Sequence, residues 1–235
     1  MRLDYYNEYL NGYLKTKVNV NIVQIGANDG KINDPIYATV MEHKNATTIL
    51  LIEPQPEVIP FLFENYRAHP HCTIVNGAVG FDGNLTLYRL KPSLWDLFIR
   101  RYLQDAPAYR VPTGFSSQIK AHVINHIRGN LPSIIDEFDA IEELNVPSAT
   151  LLTILKGNNF PLKIDVLQVD CEGMDDEVLY CCDLSETCPE IINFEHCHLP
   201  VERYDNLSSY LKKLGYSIIP WSESDSMAIL SGSIF

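Results

Sequence analysis

The sequence predicts an α/β protein with a mainly parallel sheet. Three apolar, β-branched stretches, at residues 21–25, 49–53 and 164–170, each end in a glycine turn or a carboxylate. Segments with apolar residues at helical spacing separate them, and this alternation of strand and helix is typical of a parallel sheet with right-handed crossovers. Because the carboxyl ends of parallel strands form the ligand crevice of such a fold, we expect the functional residues at these strand ends.

The chain opens with a helix and the first strand. A Tyr- and Leu-rich segment up to about residue 17 predicts a helix over the sheet edge, with Asp4 as its candidate N-cap. The first strand, 21–25, runs into two glycines four residues apart. Pro35 is suited to the first position of the helix that follows.

Strands two and three continue the repeat before an insertion interrupts it. Strand two, 49–53, and strand three, 73–76, flank a helix with one apolar face. Residues 85–90 alternate between apolar and polar and predict an appended antiparallel strand. Residues 91–145 are rich in aromatics and weak in strand pattern, with two short helices, which is typical of a lid or substrate cover.

Regular elements return after the insertion. They are a short helix capped by Ser148, strands at 164–170 and 190–195, a helix at 201–214 ended by Gly215, and short strands at 216–220 and 227–230. We expect the last two strands to pair antiparallel. The chain, 1–235, is thus predicted to be one domain, with an N-terminal helical segment at 1–20 and a lid-like insertion at 91–145.

Composition restricts the partners of the protein. With 18 Lys and Arg against 30 Asp and Glu, the formal charge is −12, which argues against binding to nucleic acid or to an anionic membrane surface. No apolar run is long enough to span a bilayer and the first six residues lack the apolar core of a signal peptide, so we expect a cytoplasmic protein. The six cysteines contain no CxxC pair and are predicted to be reduced thiols.

The glycine turn after strand one is the first candidate binding element. Its residues are Gly26, Ala27, Asn28, Asp29 and Gly30. The turn lacks the third glycine of the dinucleotide fingerprint and the Lys-Ser or Lys-Thr of a phosphate loop, so NAD and ATP are disfavoured. An acidic side chain in the turn repels a pyrophosphate but accepts hydrogen bonds from an ammonium or hydroxyl group.

Glu53 is the second candidate binding element. It ends strand two, 23 positions after Gly30 (53 − 30). An acidic residue about 20 positions beyond such a turn binds the ribose hydroxyls of a nucleoside. A ribose-bearing cofactor without a pyrophosphate is S-adenosylmethionine, so the turn and the acid together predict that cofactor.

Several short motifs, in their order and spacing, resemble the FkbM family of S-adenosylmethionine-dependent methyltransferases. The motifs are residues 25–30, Asn33-Asp34-Pro35, Glu53-Pro54, Asn65-Tyr66, residues 167–173, residues 194–199 and Ser224-Asp225-Ser226-Met227-Ala228. The resemblance covers the chain from about residue 20. It implies a Rossmann-like class I methyltransferase sheet of seven strands, mostly parallel with the last antiparallel, and helices on both faces. It also implies O-methylation of a hydroxyl group on a sugar, a glycan or a secondary metabolite.

The resemblance further implies which residues contact the cofactor. In the turn closed by Gly30, those around the methionine part would be Gly26, Ala27, Asn28 and Asp29. The others would be Glu53 at the ribose, Asn76, Gly77 and Ala78 near the adenine, and Asp170 beside the sulfonium. Cys171 departs from the small or β-branched residue that the family usually has at its position, without consequence for the fold.

An alcohol acceptor needs a base or a metal ion, because methyl transfer is an in-line displacement in which the hydroxyl must lose its proton. His196 and His198, beside strand five, are the candidate bases, and alternation in an extended segment would point both to one side. Asp170 and Glu195, at the ends of strands four and five, would position the reactants.

A divalent metal ion is the alternative to a base. Asp170 and Glu195 occupy strand ends from which catechol-type methyltransferases supply metal ligands, and Glu172 or His196 would complete an oxygen and nitrogen set. Such an ion would lower the pKa of the acceptor hydroxyl.

Other functions stay open at this point. An N-methyltransferase of the same fold would need no strong base, and a non-catalytic module would use the same sheet to bind a partner. A nicotinamide oxidoreductase is disfavoured by the missing third glycine. The acceptor, a small molecule or a glycan, is expected under the insertion.

Overall fold

The computed structural model of the protein describes residues 3–232 and arranges their strands in two sheets. In chain order the strands are β1 (Val20–Ile25), β2 (Thr47–Glu53), β3 (Cys72–Asn76), β4 (Ala78–Val79), β5 (Gly83–Leu90), β6 (Ile141–Ala149), β7 (Val166–Val169), β8 (Ile191–Glu195), β9 (Tyr216–Pro220) and β10 (Asp225–Leu230). The main sheet has the order β3-β2-β1-β7-β8-β10-β9, and β10 runs antiparallel to both of its neighbours. The predicted seven-stranded sheet with its last strand antiparallel is confirmed.

Helices cover both faces of this sheet, as predicted. In chain order, the helices of residues 3–232 are α1 (Leu3–Thr16), α2 (Tyr37–Glu42), α3 (Ile59–Tyr66), α4 (Arg110–Gly114), α5 (Lys120–Ile127), α6 (Leu151–Gly157), α7 (Asp175–Tyr180), α8 (Leu184–Thr187) and α9 (Val201–Lys213), of which α4 and α5 belong to the insertion. The strand period of two sends Ile22 of β1 into an apolar cluster with α1, α2 and α3. Its neighbour Val23 joins the cluster of α6, α7 and α9 on the other face.

The central strands end in register at one edge of the sheet. Ile25 of β1 lies opposite Ile52 of β2 and Val169 of β7. The residue that follows each of them therefore lies at the same edge. This is the place at which the sequence predicts the functional residues.

The smaller sheet, in the order β4-β6-β5, contains two strands that the sequence did not predict, the two-residue β4 and the longer β6. Residues 141–145 were expected to belong to the insertion and Ser148 to cap a helix, whereas both lie in β6. Only Ile141 and Val146 of β6 are buried, so its apolar pattern is weak. The strand exists because its residues 141–148 pair with β5. The cap of α6 is Thr150, whose hydroxyl oxygen accepts from the Thr153 backbone N–H at 3.3 Å.

The insertion is helical and aromatic, as predicted. A 3₁₀ helix (Pro92–Leu97), α4 and α5 enclose an apolar cluster of their own around Phe98, Phe115 and Val123. Backbone hydrogen bonds between Tyr88 and Ser117 tie it to β5. The insertion thus has a packed base, hydrogen-bonded to β5, beside the carboxyl edge of the main sheet.

Helices α1 and α2 differ in part from the prediction. Helix α2 begins at Tyr37 and not at Pro35, because Asp34 Oδ1 accepts from the backbone N–H groups of Ile36 and Tyr37 and forms the turn there. Helix α1 packs on a face of the sheet and not on its edge. The predicted cap at Asp4 lies outside the described side chains. Among residues 3–232, none of the helices has the length and apolar character that crossing a bilayer requires.

Candidate active site

A cavity lies at the carboxyl edge of β1, β2 and β7, beneath the insertion. Of the residues predicted for the site, its walls contain Gly26, Ala27, Asn28, Glu53, Gly77, Ala78, Asp170 and Glu195. The register of the three strands explains why residues so distant in sequence meet here.

The two glycines of the turn are required by close packing. Gly26 has a φ of 77°, and a Cβ at this position would overlap the backbone oxygen of Asp170. Gly30 has a φ of 66°, and a Cβ there would lie 2.5 Å from Leu62 Cδ1. Both positions favour glycine because its φ can be positive without steric cost. The turn therefore brings bare backbone to the end of β7.

Glu53 fastens the turn to the end of β2. Its Oε2 accepts from the Asn28 backbone N–H at 2.8 Å, and its Oε1 accepts from the Gln55 backbone N–H at 2.8 Å. The side chain is buried, and burial raises the pKa of Glu53 to about 7. Oε1 also accepts from the Gln55 side-chain amide at 3.3 Å, so of the about four acceptor positions of a carboxylate about one remains for a hydroxyl group in the cavity.

Asp29 lies behind the turn and not in the cavity wall. Its Oδ1 accepts from the backbone N–H groups of Lys31 and Ile32, and its Oδ2 accepts from the Tyr109 hydroxyl at 3.1 Å. The side chain is fully buried. The geometry therefore does not support the predicted direct contact between Asp29 and the cofactor. Instead, Asp29 stabilises the turn and connects it to the insertion through Tyr109.

Asn76 also differs from its neighbours. Gly77 and Ala78 line the cavity, whereas Asn76 is exposed and its amide donates to the backbone oxygens of Glu53 and Pro54 at 2.9 and 3.1 Å. Asn76 thus supports the segment that follows β2, and its two neighbours form the wall.

Carboxyl groups form the floor of the cavity. Asp170, Glu172 and Glu195 line it, and the buried Asp175 lies beneath and accepts from the Glu195 backbone N–H at 3.1 Å. Desolvation, followed by the charge of Glu172, raises the pKa of Asp170, although its side chain is open to the cavity. Desolvation also raises the pKa of Glu172 to about 7 and that of Glu195 far above its usual range. So many acids in one place favour a cationic ligand.

Arg110 of α4 brings a positive charge to the same cavity. Its side chain is mostly buried, and its Nε donates to the Ile32 backbone oxygen at 2.9 Å. The positive charge contributes to lowering the pKa of Glu53 and of Glu172 and so opposes the effect of burial. The cavity is therefore lined by several acidic side chains at its floor and by one basic side chain, Arg110, from the insertion.

The two predicted bases lie in different surroundings. Residues 196–199 form a turn, in which the backbone N–H of Leu199 donates a hydrogen bond to the backbone oxygen of His196 at 3.0 Å. The segment is therefore not extended, and the two histidine side chains do not point to one side as predicted. His196 Nδ1 lies 3.1 Å from the Ser226 hydroxyl, and its ring packs on Tyr204. His198 Nε2 lies 3.5 Å from Glu172 Oε2. Only His198 is therefore linked to the cavity through a wall residue.

Two histidines of the insertion also lie in this region, and the sequence did not predict them there. His122 Nε2 lies 3.0 Å from Glu172 Oε2, and the rings of His122 and His198 are 4.7 Å apart. The His126 ring stacks on Phe115. Their spacing on α5, four residues apart, places both on one helix face, but nothing in the sequence showed which strand end that face meets.

Comparison with protein families identifies the chain. A family model described as the methyltransferase FkbM domain matches residues 24–218. The chain belongs to the FkbM methyltransferase family. This FkbM protein is an S-adenosylmethionine-dependent methyltransferase, as its sequence motifs indicated. A search of curated protein sequences finds no significant match.

Solved structures resemble this FkbM methyltransferase in fold. A putative caffeoyl-CoA O-methyltransferase from Staphylococcus aureus has 8% sequence identity and a TM-score of 0.50, with 96% of this chain and 83% of that chain covered. An S-adenosylhomocysteine-bound methyltransferase of Podospora anserina, PaMTH1, has 10% identity and a TM-score of 0.48, with 96% and 78% covered. At these identities the likeness of the Staphylococcus protein supports the fold alone.

Proposed function

We propose that this methyltransferase transfers a methyl group to a hydroxyl group of a small-molecule acceptor, such as a sugar, a glycan unit or a secondary metabolite. The proposal rests on one observation about Asp170. Its carboxyl group lies in the cavity wall next to the glycine turn, and its pKa is raised above the ordinary value. A base whose pKa lies closer to neutrality accepts a proton from an alcohol more effectively than an ordinary carboxylate does.

The cofactor would lie along the wall formed by the glycine turn, Glu53 and the pair Gly77 and Ala78. The acceptor position that remains on Glu53 suits a ribose hydroxyl. The acidic floor suits the positive sulfonium, which would in turn favour the ionised form of Asp170. Cofactor binding would thereby leave Asp170 ionised and able to accept a proton from the acceptor hydroxyl.

The acceptor would lie against the insertion. Tyr102 and Leu103 line the cavity, and the Tyr102 side chain is 55% exposed, so a ring face is open to a sugar or to a planar apolar chain. Ser116 and Gln118 add hydrogen-bonding groups to the same wall. His198, which contacts Glu172, is in this proposal a positioning residue, and His196 has no direct part.

The test is a methyl-transfer assay with S-adenosylmethionine and panels of hydroxylated and amine acceptors. A hydroxylated acceptor is expected to be methylated, and Asp170→Asn should lower kcat by about 100-fold or more, the usual effect of losing a general base. S-Adenosylhomocysteine should still bind this variant. The exposed Asp205→Asn on α9 is the matched control and should keep full activity. Full activity of Asp170→Asn on a hydroxyl acceptor would contradict the proposed base.

N-Methylation is the second candidate, because the acidic floor also suits an ammonium group on the acceptor. An amine with an available lone pair needs no strong base. Methylation of amines alone, with little loss in Asp170→Asn, would favour this reaction over O-transfer.

A further inference from the structure

Three side chains from separate parts of the chain meet at one side of the cavity. His122 comes from α5 in the insertion, Glu172 follows β7 and His198 follows β8. Glu172 Oε2 lies 3.0 Å from His122 Nε2 and 3.5 Å from His198 Nε2. The three ligand atoms all lie within 4.8 Å of one another. Two imidazoles and a carboxylate thus converge on one point.

These distances suit a shared metal ion. Ligands bound about 2.1 Å from one ion lie roughly 3.0 to 3.4 Å from each other, depending on the coordination geometry. The two contacts of Glu172 are close to that range without any rearrangement of the backbone.

Glu195 supplies an independent observation. Its Oε2 is buried without a hydrogen-bond partner among the described residues and lies 3.8 Å from His198 Nε2. A buried carboxylate oxygen without a partner is costly, and a cation beside it removes that cost. Glu195 is therefore placed to act as a fourth ligand or to neutralise the ion.

The backbone at Glu172 is held in a rare conformation. Glu172 has a φ of 50° and is followed by Gly173 with a φ of 88°. A Cβ at Gly173 would lie 3.4 Å from His198 Cβ, and the Ser117 hydroxyl donates to the backbone oxygen of Glu172 at 2.8 Å. Left-handed backbone in a residue other than glycine is unfavourable and is retained where the surroundings require it. Here it holds the Glu172 carboxylate against both histidines.

We propose that His122, Glu172 and His198 bind a first-row divalent transition metal ion at the wall of the cavity. Nitrogen from two imidazoles together with carboxylate oxygen favours zinc, manganese, iron or cobalt over magnesium and calcium, which prefer oxygen alone. Because Glu172 and Glu195 also line the cavity, the ion can bind the acceptor hydroxyl and lower its pKa. This role, unlike the binding itself, rests on the proposed O-methylation.

The experiment uses the full chain, freed of metal by a chelator and titrated with Co²⁺ and Zn²⁺. One ion per chain should bind, with the visible absorption of cobalt held by nitrogen and oxygen. His122→Ala, Glu172→Gln and His198→Ala should each weaken binding by about 100-fold or more, beyond the roughly 10- to 100-fold effect of residues that only support ligands. His196→Ala, which changes a histidine two residues from a ligand, should bind the metal like the wild type.

Binding of S-adenosylhomocysteine in the same samples separates the two proposals. Variants that bind it as well as the wild type does are folded, so a loss of metal in them reports on the site itself. Wild-type protein that binds S-adenosylhomocysteine but no metal would overturn the metal site alone. The site would also be overturned if Cys197→Ser abolished binding while His122→Ala did not, because the ion would then be held by the exposed Cys197 with Glu195 and His198. Absence of S-adenosylhomocysteine binding would count against the proposed function and not against the metal.

Discussion

The residues that decide the shape of the cofactor site are the two glycines and Glu53. Gly26 allows the backbone of β1 to meet that of β7, and Glu53 joins the turn to β2 through the Asn28 N–H. Gly26 and Glu53 therefore stabilise the fold as well as shaping the cofactor site. Substitutions at these positions should therefore change stability in a way that distant glycines and acids do not.

Replacement of Gly26 by alanine is expected to destabilise the fold. The new Cβ would overlap the Asp170 backbone oxygen, and alanine at a φ of 77° is strained, so we expect a loss of about 2–4 kcal/mol in the free energy of unfolding. Urea denaturation measures this loss. The matched control is Gly12→Ala in α1, where no atom lies within 4 Å of the added Cβ and about 0.5–1 kcal/mol should be gained. Equal effects at both positions would argue against the close packing described for the turn.

Burial of Glu53 should make the protein without cofactor less stable as the pH rises. The folded pKa is about 7, against an ordinary value of 4.5. Between these values the unfolded chain has released the proton that the folded chain retains, so stability falls through this window and levels off above it. At about 1.4 kcal/mol per pKa unit, the loss is roughly 3 kcal/mol.

The measurement is the free energy of unfolding of wild type and Glu53→Gln at pH 4.5, 6 and 8. The glutamine cannot ionise, so the difference between the two proteins should shift against the wild type as the pH rises. A difference that stays constant over this range would show that Glu53 keeps an ordinary pKa.

At the scale of elements, the sequence was informative where the pattern is local. Strands β1, β2, β7 and β8 are apolar runs, and the helices between them have apolar faces, so their existence and order could be predicted. Strand β6 depends on pairing with β5 more than 50 positions earlier, and its own residues alternate too weakly to reveal it. The cap of α6 was misplaced for the same reason.

In the candidate site, too, the residues with a local sequence pattern could be predicted and those that depend on distant packing could not. The glycine turn, Glu53 and Asp170 end apolar strands and could be placed at the sheet edge by topology. The contributions of Arg110, Tyr109 and His122 could not, because they come from an insertion whose packing against the sheet has no periodic signal. The separation of His196 from His198 was missed because a turn replaces the extended segment.

The contact between the insertion and the glycine turn can be tested through Tyr109. Its hydroxyl donates to Asp29 Oδ2, and its ring stacks on Phe61 at 4.2 Å. Tyr109→Phe keeps the ring and removes the hydrogen bond, so cofactor affinity should fall several-fold, equivalent to about 1 kcal/mol. Calorimetric titration with S-adenosylhomocysteine measures the change. Tyr180→Phe on α7 is the control, and an equal effect there would contradict a role for the contact with Asp29.

On the scale of the whole molecule, an acidic chain places several carboxyl groups where a cation is expected. The net charge is −12, and four carboxyl groups, Asp170, Glu172, Asp175 and Glu195, surround the floor of one cavity. The FkbM fold places this floor beside the turn that ends β1. The combination explains how an acidic protein without a phosphate-binding loop can hold a nucleoside that carries a sulfonium.

Charge should also separate the two forms of the cofactor. S-Adenosylmethionine carries a sulfonium, whereas S-adenosylhomocysteine has a neutral thioether at the same position. Since burial raises the pKa values of Asp170 and Glu172, and the charge of Glu172 raises that of Asp170 further, more of these groups ionise as the pH rises from 6 to 7.5. The affinity for S-adenosylmethionine should therefore rise more steeply over this range than that for S-adenosylhomocysteine. Parallel calorimetric titrations of both ligands measure the two slopes, and identical slopes would contradict the placement of the sulfonium at this floor.

The most direct test of the cofactor site is a calorimetric titration of wild type and Glu53→Ala with S-adenosylhomocysteine, with NAD as the comparison ligand. One molecule of S-adenosylhomocysteine should bind per wild-type chain, and loss of the carboxylate should weaken binding by about 10-fold or more, as expected when hydrogen bonds to a charged group worth about 1.5–3 kcal/mol are removed. NAD should give no heat. Unchanged affinity in Glu53→Ala, or binding of NAD in preference to S-adenosylhomocysteine, would contradict the site described at the ends of β1, β2 and β7.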